Sequence, residues 1–363
     1  AAIVRLTSGT TAGPRGVAVT VDQLLADARN ITTTMGIGPE DSMVAAIPLG
    51  HAYGFVHVLM SCILQGTRPI VVEQPLPALL LEALSGPGPI VLPATPYLCE
   101  LILQAAGRRR FRGLRLCLSA GAPLPERLSR AFLDACGRPV RTFYGASECG
   151  GICYDRSRDG ILPDGGVGTP LEGVRVTVRE EPGLQGAGRI AVLSAAVAAG
   201  YWPVPGGGDL GPGRFLTSDL GRIAPGGGIA LVGRSDRMIN VGGRKVNPAE
   251  VEAVLRGIPD VREAAVFAVP DRNRGQAVSA CLVARRAVTR EKVLEQCAMR
   301  LAPFQIPRHV EFVERIPRTG RGKTDRAALP ALLRSAATSQ SKTRPRPAAR
   351  PARRPRPGAP ATV

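Results

Sequence analysis

The chain has 363 residues, 44% of them hydrophobic, with 43 Gly and 33 Pro. That length can bury a sizeable core and suggests two or three domains, and the apolar share excludes a wholly disordered chain. A formal charge of +18 points to nucleic acid only until its distribution is read: seven of the basic residues lie beyond Ser335, where no acidic residue occurs.

From the N-terminus to about residue 144, β-like runs at 2–6, 43–47, 69–72, 89–92, 114–118 and 140–144 alternate with helical patterns. One of these patterns, 21–35, follows Thr20 with Gln23 three residues on, the signature of a capping box. Alternation of this kind predicts a layered α/β arrangement. From 160 to 232 the pattern becomes short strands (174–178, 189–193, 215–217, 229–232) between glycine turns, a β-rich lobe. After Arg234 comes a compact α+β region. Asn247, Pro248 and Glu250 supply an N-cap, a proline at the first helical position and a box-closing acid, and Gly257 ends that helix. Strands at 264–269 and 277–284, a helix capped by Thr289, a strand at 309–313 and a loop at 316–325 complete it.

The expected domains are therefore a large one at 1–235, a small mobile one at 236–334, and a disordered basic tail at 335–363. Lys342, Arg344, Arg346, Arg350, Arg353, Arg354 and Arg356 sit in that tail among prolines with no periodic apolar face, so it cannot offset the entropy of ordering. Without those seven charges the body carries +11. No aromatic interleaving or folded motif supports specific nucleic-acid binding. The eight cysteines form no C-x-x-C pair, and Cys149 and Cys153 lack a histidine cluster of zinc spacing. They read as small buried hydrophobes in a reducing, cytoplasmic setting, and no apolar run is long enough to span a membrane.

The chemistry sits in a series of motifs. Residues 7–16 read TSGTTAGPRG, hydroxyls and glycines after a strand, with a cation near the end; backbone N–H groups and Ser/Thr donors in such a loop suit polyphosphate oxygens. It is not a Walker A loop, because no Gly-Lys-Ser/Thr closes it. There follow Pro48, His51 and Gly54, then SAGAPL at 119–124, YGASE at 144–148, TSDLGR at 217–222, GRSDR at 233–237, VGGRKVNPAEVE at 241–252 and PRTGRGKTDR at 317–326.

In this order, from about residue 3 to 333, the motifs resemble the adenylate-forming superfamily of acyl- and aryl-CoA synthetases, peptide-synthetase adenylation domains and luciferases. The resemblance implies ATP-dependent activation of a fatty or aromatic carboxylic acid to an acyl-adenylate, then transfer to the thiol of CoA or of a carrier-protein pantetheine. It implies that Thr7, Ser8, Gly9, Thr10 and Thr11 hold phosphates, with Thr7 also catalytic. Glu148 would ligate Mg²⁺, a hard cation suited to one carboxylate plus phosphate oxygens. Tyr144 would lie against adenine beside Gly121, and Asp219 and Arg234 would hold the ribose. His51 matches the wall of the acid pocket, Asp236 the hinge, and Gly242 and Gly243 the loop that meets the incoming thiol. Lys323 matches the lysine that touches both the carboxylate and the phosphate during adenylation, a point charge where negative charge gathers. His57 and His309 carry no motif and read as structural.

Two departures stand out. Ala12 and Arg15 occupy positions that usually hold Gly and Lys, and the segment that precedes the phosphate loop in the family has no counterpart here. The expectation is an N-terminally incomplete large domain, and a second reading is a non-catalytic relic that keeps a nucleotide site. Residues 48–68 contain no Asp or Glu. A buried α-ammonium would have no partner there, which argues against a free amino acid as substrate.

Overall fold

The computed structural model describes residues 2–6, 16–107, 109–181, 184, 186–203, 208–285, 288–319 and 323–333. The phosphate-loop residues Thr7, Ser8, Gly9, Thr10 and Thr11, and the basic tail, lie outside them.

The chain opens with β1 (Ile3–Leu6) and β2 (Gly16–Val19), an antiparallel pair. Helix α1 (Val21–Met35) begins at the predicted box: Gln23 N–H donates to Thr20 Oγ1 (3.3 Å), and Thr20 N–H donates to Gln23 Oε1 (3.0 Å). Its buried face is Leu24, Ala28, Ile31 and Met35, the spacing of one helical stripe. Then come β3 (Ser42–Ala45), α2 (Ala52–Gly54), a π-helical segment Phe55–Met60, α3 (Ser61–Gln65) and β4 (Arg68–Val71). Helices α4 (Pro77–Ala83), α5 (Pro96–Ala106) and α6 (Glu126–Cys136) alternate with β5 (Ile90–Ala94), β6 (Leu114–Ser119) and β7 (Val140–Ala146).

Strands β3 to β7 pair in parallel. All five residues of β5 are buried, as a parallel strand covered on both faces requires. Val91 and Leu118 point into one core with α1, while Leu92 and Cys117 point into a second with α4, α5 and α6.

The β-rich part comprises β8 (Gly150–Tyr154), β9 (Gly166–Pro170), β10 (Val174–Glu180), β11 (Gly188–Ser194), β12 (Gly200–Trp202), β13 (Leu210–Gly211), β14 (Arg214–Ile223) and β15 (Ile229–Arg234). It is not a detached lobe. One twelve-stranded sheet runs β10-β11-β14-β15-β9-β8-β7-β6-β5-β3-β4, with β13 on β14. The joint is β9, which pairs with β8 on one side and β15 on the other. Its sequence GVGTP carries almost no strand signal, and Gly168 (φ +83°) packs where a Cβ would lie 2.1 Å from the Tyr154 carbonyl. Strand β12 leaves this sheet to pair with β2, completing a separate three-stranded sheet with β1.

The remaining elements are β16 (Ile239–Val241), β17 (Arg244–Val246), α7 (Pro248–Arg256), β18 (Val261–Asp271), β19 (Gly275–Ala284), α8 (Arg290–Ala298) and β20 (His309–Phe312). They build a five-stranded sheet, order β17-β16-β19-β18 with β20 parallel to β19. Asn247 caps α7 and Thr289 caps α8. One detail differs from expectation: Glu250 does not close a box but accepts from Gln305 Nε2 (3.0 Å). Gly257 ends the helix as expected, in a right-handed conformation (φ −75°). The cores of this part start at Ile239, whereas the hydrophobic clusters of the large sheet reach no further than Leu231.

Candidate active site

Four of the residues singled out above meet in one hydrogen-bonded network. Asp219 on β14 and Arg234 on β15 are direct cross-strand partners, so the sheet register sets them side by side. Arg234 Nη1 donates to Asp219 Oδ1 (2.9 Å), while its Nε and Nη2 fork onto Asp236 (3.0 and 2.7 Å). Tyr144, on β7, donates its hydroxyl to Asp219 Oδ2 (2.7 Å). The Asp219 backbone is fixed by its N–H donating to Thr217 Oγ1 (3.0 Å), and Ser235 Oγ donates to the Ser218 carbonyl (3.1 Å).

The protonation states follow from the same contacts. Burial, then the Asp219 charge, pushes the Tyr144 phenol well above 10, so it stays a neutral donor. The Asp236 hydrogen bond raises the Arg234 guanidinium, which burial opposes. For Asp236, burial acts upward, but the Arg234 bonds and charge outweigh it and leave the carboxyl below its usual range.

Glu148 sits in the turn between β7 and β8. Its carbonyl accepts from Ala198 N–H (2.8 Å), and its carboxylate accepts one long bond from Tyr201 Oη (3.4 Å), on β12. Burial raises its pKa, and the bond from its own backbone N–H, the Tyr201 bond and the Arg234 charge only partly offset this. It is a half-buried carboxylate held only by its own backbone N–H and one long tyrosine bond. A divalent cation fits that donor set: it would supply the missing charge while its other ligands came from phosphate oxygens. Among the described residues no group of three or more His, Cys, Asp or Glu could hold a metal by itself. Tyr201 was not singled out from sequence, because no motif surrounds it.

Gly121 follows β6 with φ +85°, and a Cβ there would meet nothing within 4 Å. The backbone conformation, not crowding, calls for glycine. His51 is half-buried at the N-terminus of α2, where its carbonyl accepts from Phe55 N–H (2.8 Å). His57, in the π-helical segment, is 1% exposed, and its Nδ1 lies 3.1 Å from the Tyr53 carbonyl. Its ring meets Tyr53 and Phe143 edge-on, each at 4.6 Å. Burial lowers its pKa to about 4, so it packs as a neutral ring.

Gly242 and Gly243 turn the β16–β17 hairpin with φ of +58° and +82°, on the small sheet rather than the one carrying Glu148 and Asp219. Lys323 is exposed in the same part of the chain: Thr319 N–H donates to its carbonyl (2.7 Å), and Arg318 bridges Thr324.

Comparison with known proteins bears on what this site does. The AMP-binding enzyme family matches residues 1–202, and the AMP-binding enzyme C-terminal domain matches residues 250–323. This chain belongs to the AMP-binding enzyme family. It is 29% identical to the long-chain-fatty-acid–CoA ligase FadD13 of Mycobacterium tuberculosis in an alignment covering 88% of this chain and 65% of that ligase. It is 35% identical to a probable 2-succinylbenzoate–CoA ligase of the same organism, covering 90% of this chain and 83% of the relative. ATP-bound MatB from Rhodopseudomonas palustris superposes with a TM-score of 0.80 at 27% identity, over 90% of this chain and 67% of MatB. The apo form of MatB gives 0.69 over the same 90%.

Proposed function

We propose that this protein activates a fatty or aromatic carboxylic acid with MgATP and passes the acyl group to the thiol of CoA. The observation that carries the reading is the Tyr144–Asp219–Arg234–Asp236 network with Glu148, a carboxyl whose pKa burial raises, in a chain of the AMP-binding enzyme family. In the first half-reaction a carboxylate oxygen attacks the α-phosphate, the bond to the bridging oxygen breaks, and pyrophosphate leaves. Glu148 would hold the Mg²⁺ that spreads charge over the phosphate oxygens. Asp219 would accept hydrogen bonds from ribose hydroxyls, with Tyr144 against the base and Arg234 beside it. Lys323 would bring a point charge to the carboxylate and the phosphate. Thr7, Ser8, Gly9, Thr10 and Thr11 would cradle the phosphates, and His51 would line the acid pocket beyond Gly121.

In the second half-reaction the thiol sulfur attacks the acyl carbonyl and AMP leaves, with Gly242 and Gly243 bordering the thiol's path. Rotation about Asp236 would exchange the two states, so that one site serves both steps. The closer superposition on ATP-bound than on apo MatB supports reading this arrangement as that of the first step. A carrier-protein pantetheine is a variant acceptor of the same chemistry. All eight cysteines are free thiols, which supports a reducing, cytoplasmic compartment. Among the described residues no helix is long and apolar enough to cross a membrane.

The test is ATP–pyrophosphate exchange by the full chain against octanoate, benzoate, malonate and the free amino acids. Mg²⁺-dependent exchange with an apolar acyl or aryl acid is expected. No exchange with any acid, together with AMP binding by calorimetry, would leave the relic reading in its place. Exchange with free amino acids alone would overturn the substrate class.

A further inference from the structure

The described residues on either side of Lys323's loop are tied to each other. Thr319 N–H donates to the Lys323 carbonyl (2.7 Å), and Asp325 N–H donates to the Pro317 carbonyl (2.8 Å), so residues 317 and 325 form its root. The root is fastened from below. Arg326, the next residue, donates Nη2 to Glu252 Oε1 (2.7 Å) and Nη1 to the Val266 carbonyl (2.5 Å). Glu252 Oε1 also accepts from Val266 N–H (2.9 Å). Glu252 is 7% exposed on α7, and a buried carboxylate with two such donors is rigidly placed.

The other end of α7 reaches the nucleotide-facing strand. Its cap residue Asn247 accepts from Ala249 N–H through Oδ1 (3.1 Å) and donates Nδ2 to the Val232 carbonyl (2.6 Å) on β15. Gly233, between Val232 and Arg234, is pressed so closely that a Cβ would lie 2.5 Å from Asn247 Oδ1. A continuous run of contacts therefore joins Arg234's strand to the Lys323 loop: Val232, Asn247, helix α7, Glu252, Arg326. It crosses from one set of cores to the other on the far side of Asp236.

We propose that Glu252 is a positioning residue for Lys323, and that α7 is a strut which sets the Lys323 loop relative to the ribose-side strand β15 during adenylate formation only. The proposal rests on the reading of Lys323 given above. An ammonium that must meet two substrate oxygens tolerates little displacement: about 1 Å can cost about 100-fold in rate. The strut has no such role in thiol transfer, because rotation about Asp236 would part Asn247 from Val232. A merely structural Glu252 would weaken both half-reactions alike.

The experiment compares the full chain with Glu252→Gln and Arg326→Lys. The second variant keeps a cation against Glu252 but replaces the planar fork, whose two nitrogens reach Glu252 and the Val266 carbonyl separately, with a single ammonium. Adenylate formation is followed as pyrophosphate release from octanoate and MgATP, and thiol transfer as consumption of synthetic octanoyl-AMP by CoA. Amide hydrogen exchange is read over 317–326. In at least one folded variant the first rate should fall roughly 10- to 100-fold while the second stays within about twofold, with exchange faster at the loop and unchanged in β18 and β19. Equal loss of both rates, or loop exchange as slow as in the parent chain, overturns the proposal. If the parent chain forms no adenylate from octanoate, the activity reading fails for that acid. The exchange arm then decides the strut alone: loop protection lost in both variants supports it, and loop protection retained sinks it.

Discussion

Glu148 is a residue whose environment opposes its own charge. Burial holds its carboxyl above the ordinary 4.5, so the folded chain binds that proton more tightly than the unfolded chain does. Stability then falls as pH rises from 4.5 through the folded-state value. Glu148→Gln removes the cost, and the variant without ligand should be at least as stable as the parent near neutral pH, with a flatter pH profile in urea unfolding. The same change should depress Mg²⁺-dependent pyrophosphate exchange by roughly 10²- to 10³-fold, the scale of losing one group that stabilises developing charge. A variant less stable at neutral pH with undiminished Mg²⁺ dependence would remove Glu148 from the metal role. Flanking motifs singled out Tyr144, Asp219, Arg234 and Asp236, which share one hydrogen-bonded network, and Glu148. No motif made Tyr201 legible: its bond to Glu148 spans 53 positions and depends on β12 crossing to β2.

Elements with local signals were read well, and those that exist only through tertiary packing were not. Helix α1 starts at the expected box because Thr20 and Gln23 satisfy each other's backbone within one turn. Strands β8 and β9 went unread since GGICY and GVGTP are strands only by virtue of their neighbours, and the glycines are there to let backbone and side chains approach. Gly150 illustrates the point. It has φ +72°, and a Cβ would fall 2.2 Å from Asp27 Oδ1, a carboxylate that accepts from Gly151 N–H (2.9 Å) and pairs with Arg5. Gly243 has φ +82° with nothing within 4 Å. Gly243→Ala should therefore cost only the left-handed backbone term, about 1–2 kcal/mol, and lower the melting temperature modestly. Gly150→Ala adds a clash with a buried ion pair and should unfold the large sheet or sharply reduce yield. Similar melting shifts for the two would show that the Asp27 contact carries no constraint.

At the scale of the molecule, the two sets of hydrophobic clusters share no residue, and the chain passes between them from Leu231 to Ile239. Polar contacts cross that passage: the Arg234 fork onto Asp236, and Asn247 of α7 on the Val232 carbonyl of β15. A few polar contacts couple units far less than a common core does. Calorimetry of the full chain should accordingly resolve two transitions. The MgATP contacts proposed for Glu148 and Asp219 belong to the large-sheet part, so saturating ligand should raise that transition most, by about 2.7 kcal/mol at a hundredfold excess over Kd. Asp236→Ala removes the fork's second half and should lower the coupling between the transitions while leaving the temperature of the smaller one in place. A single transition that moves as a whole with MgATP, unchanged in Asp236→Ala, would mean that the units fold as one body. The hinge reading of Asp236 would then lose its physical basis, because a rotation between two states needs parts that are stable separately.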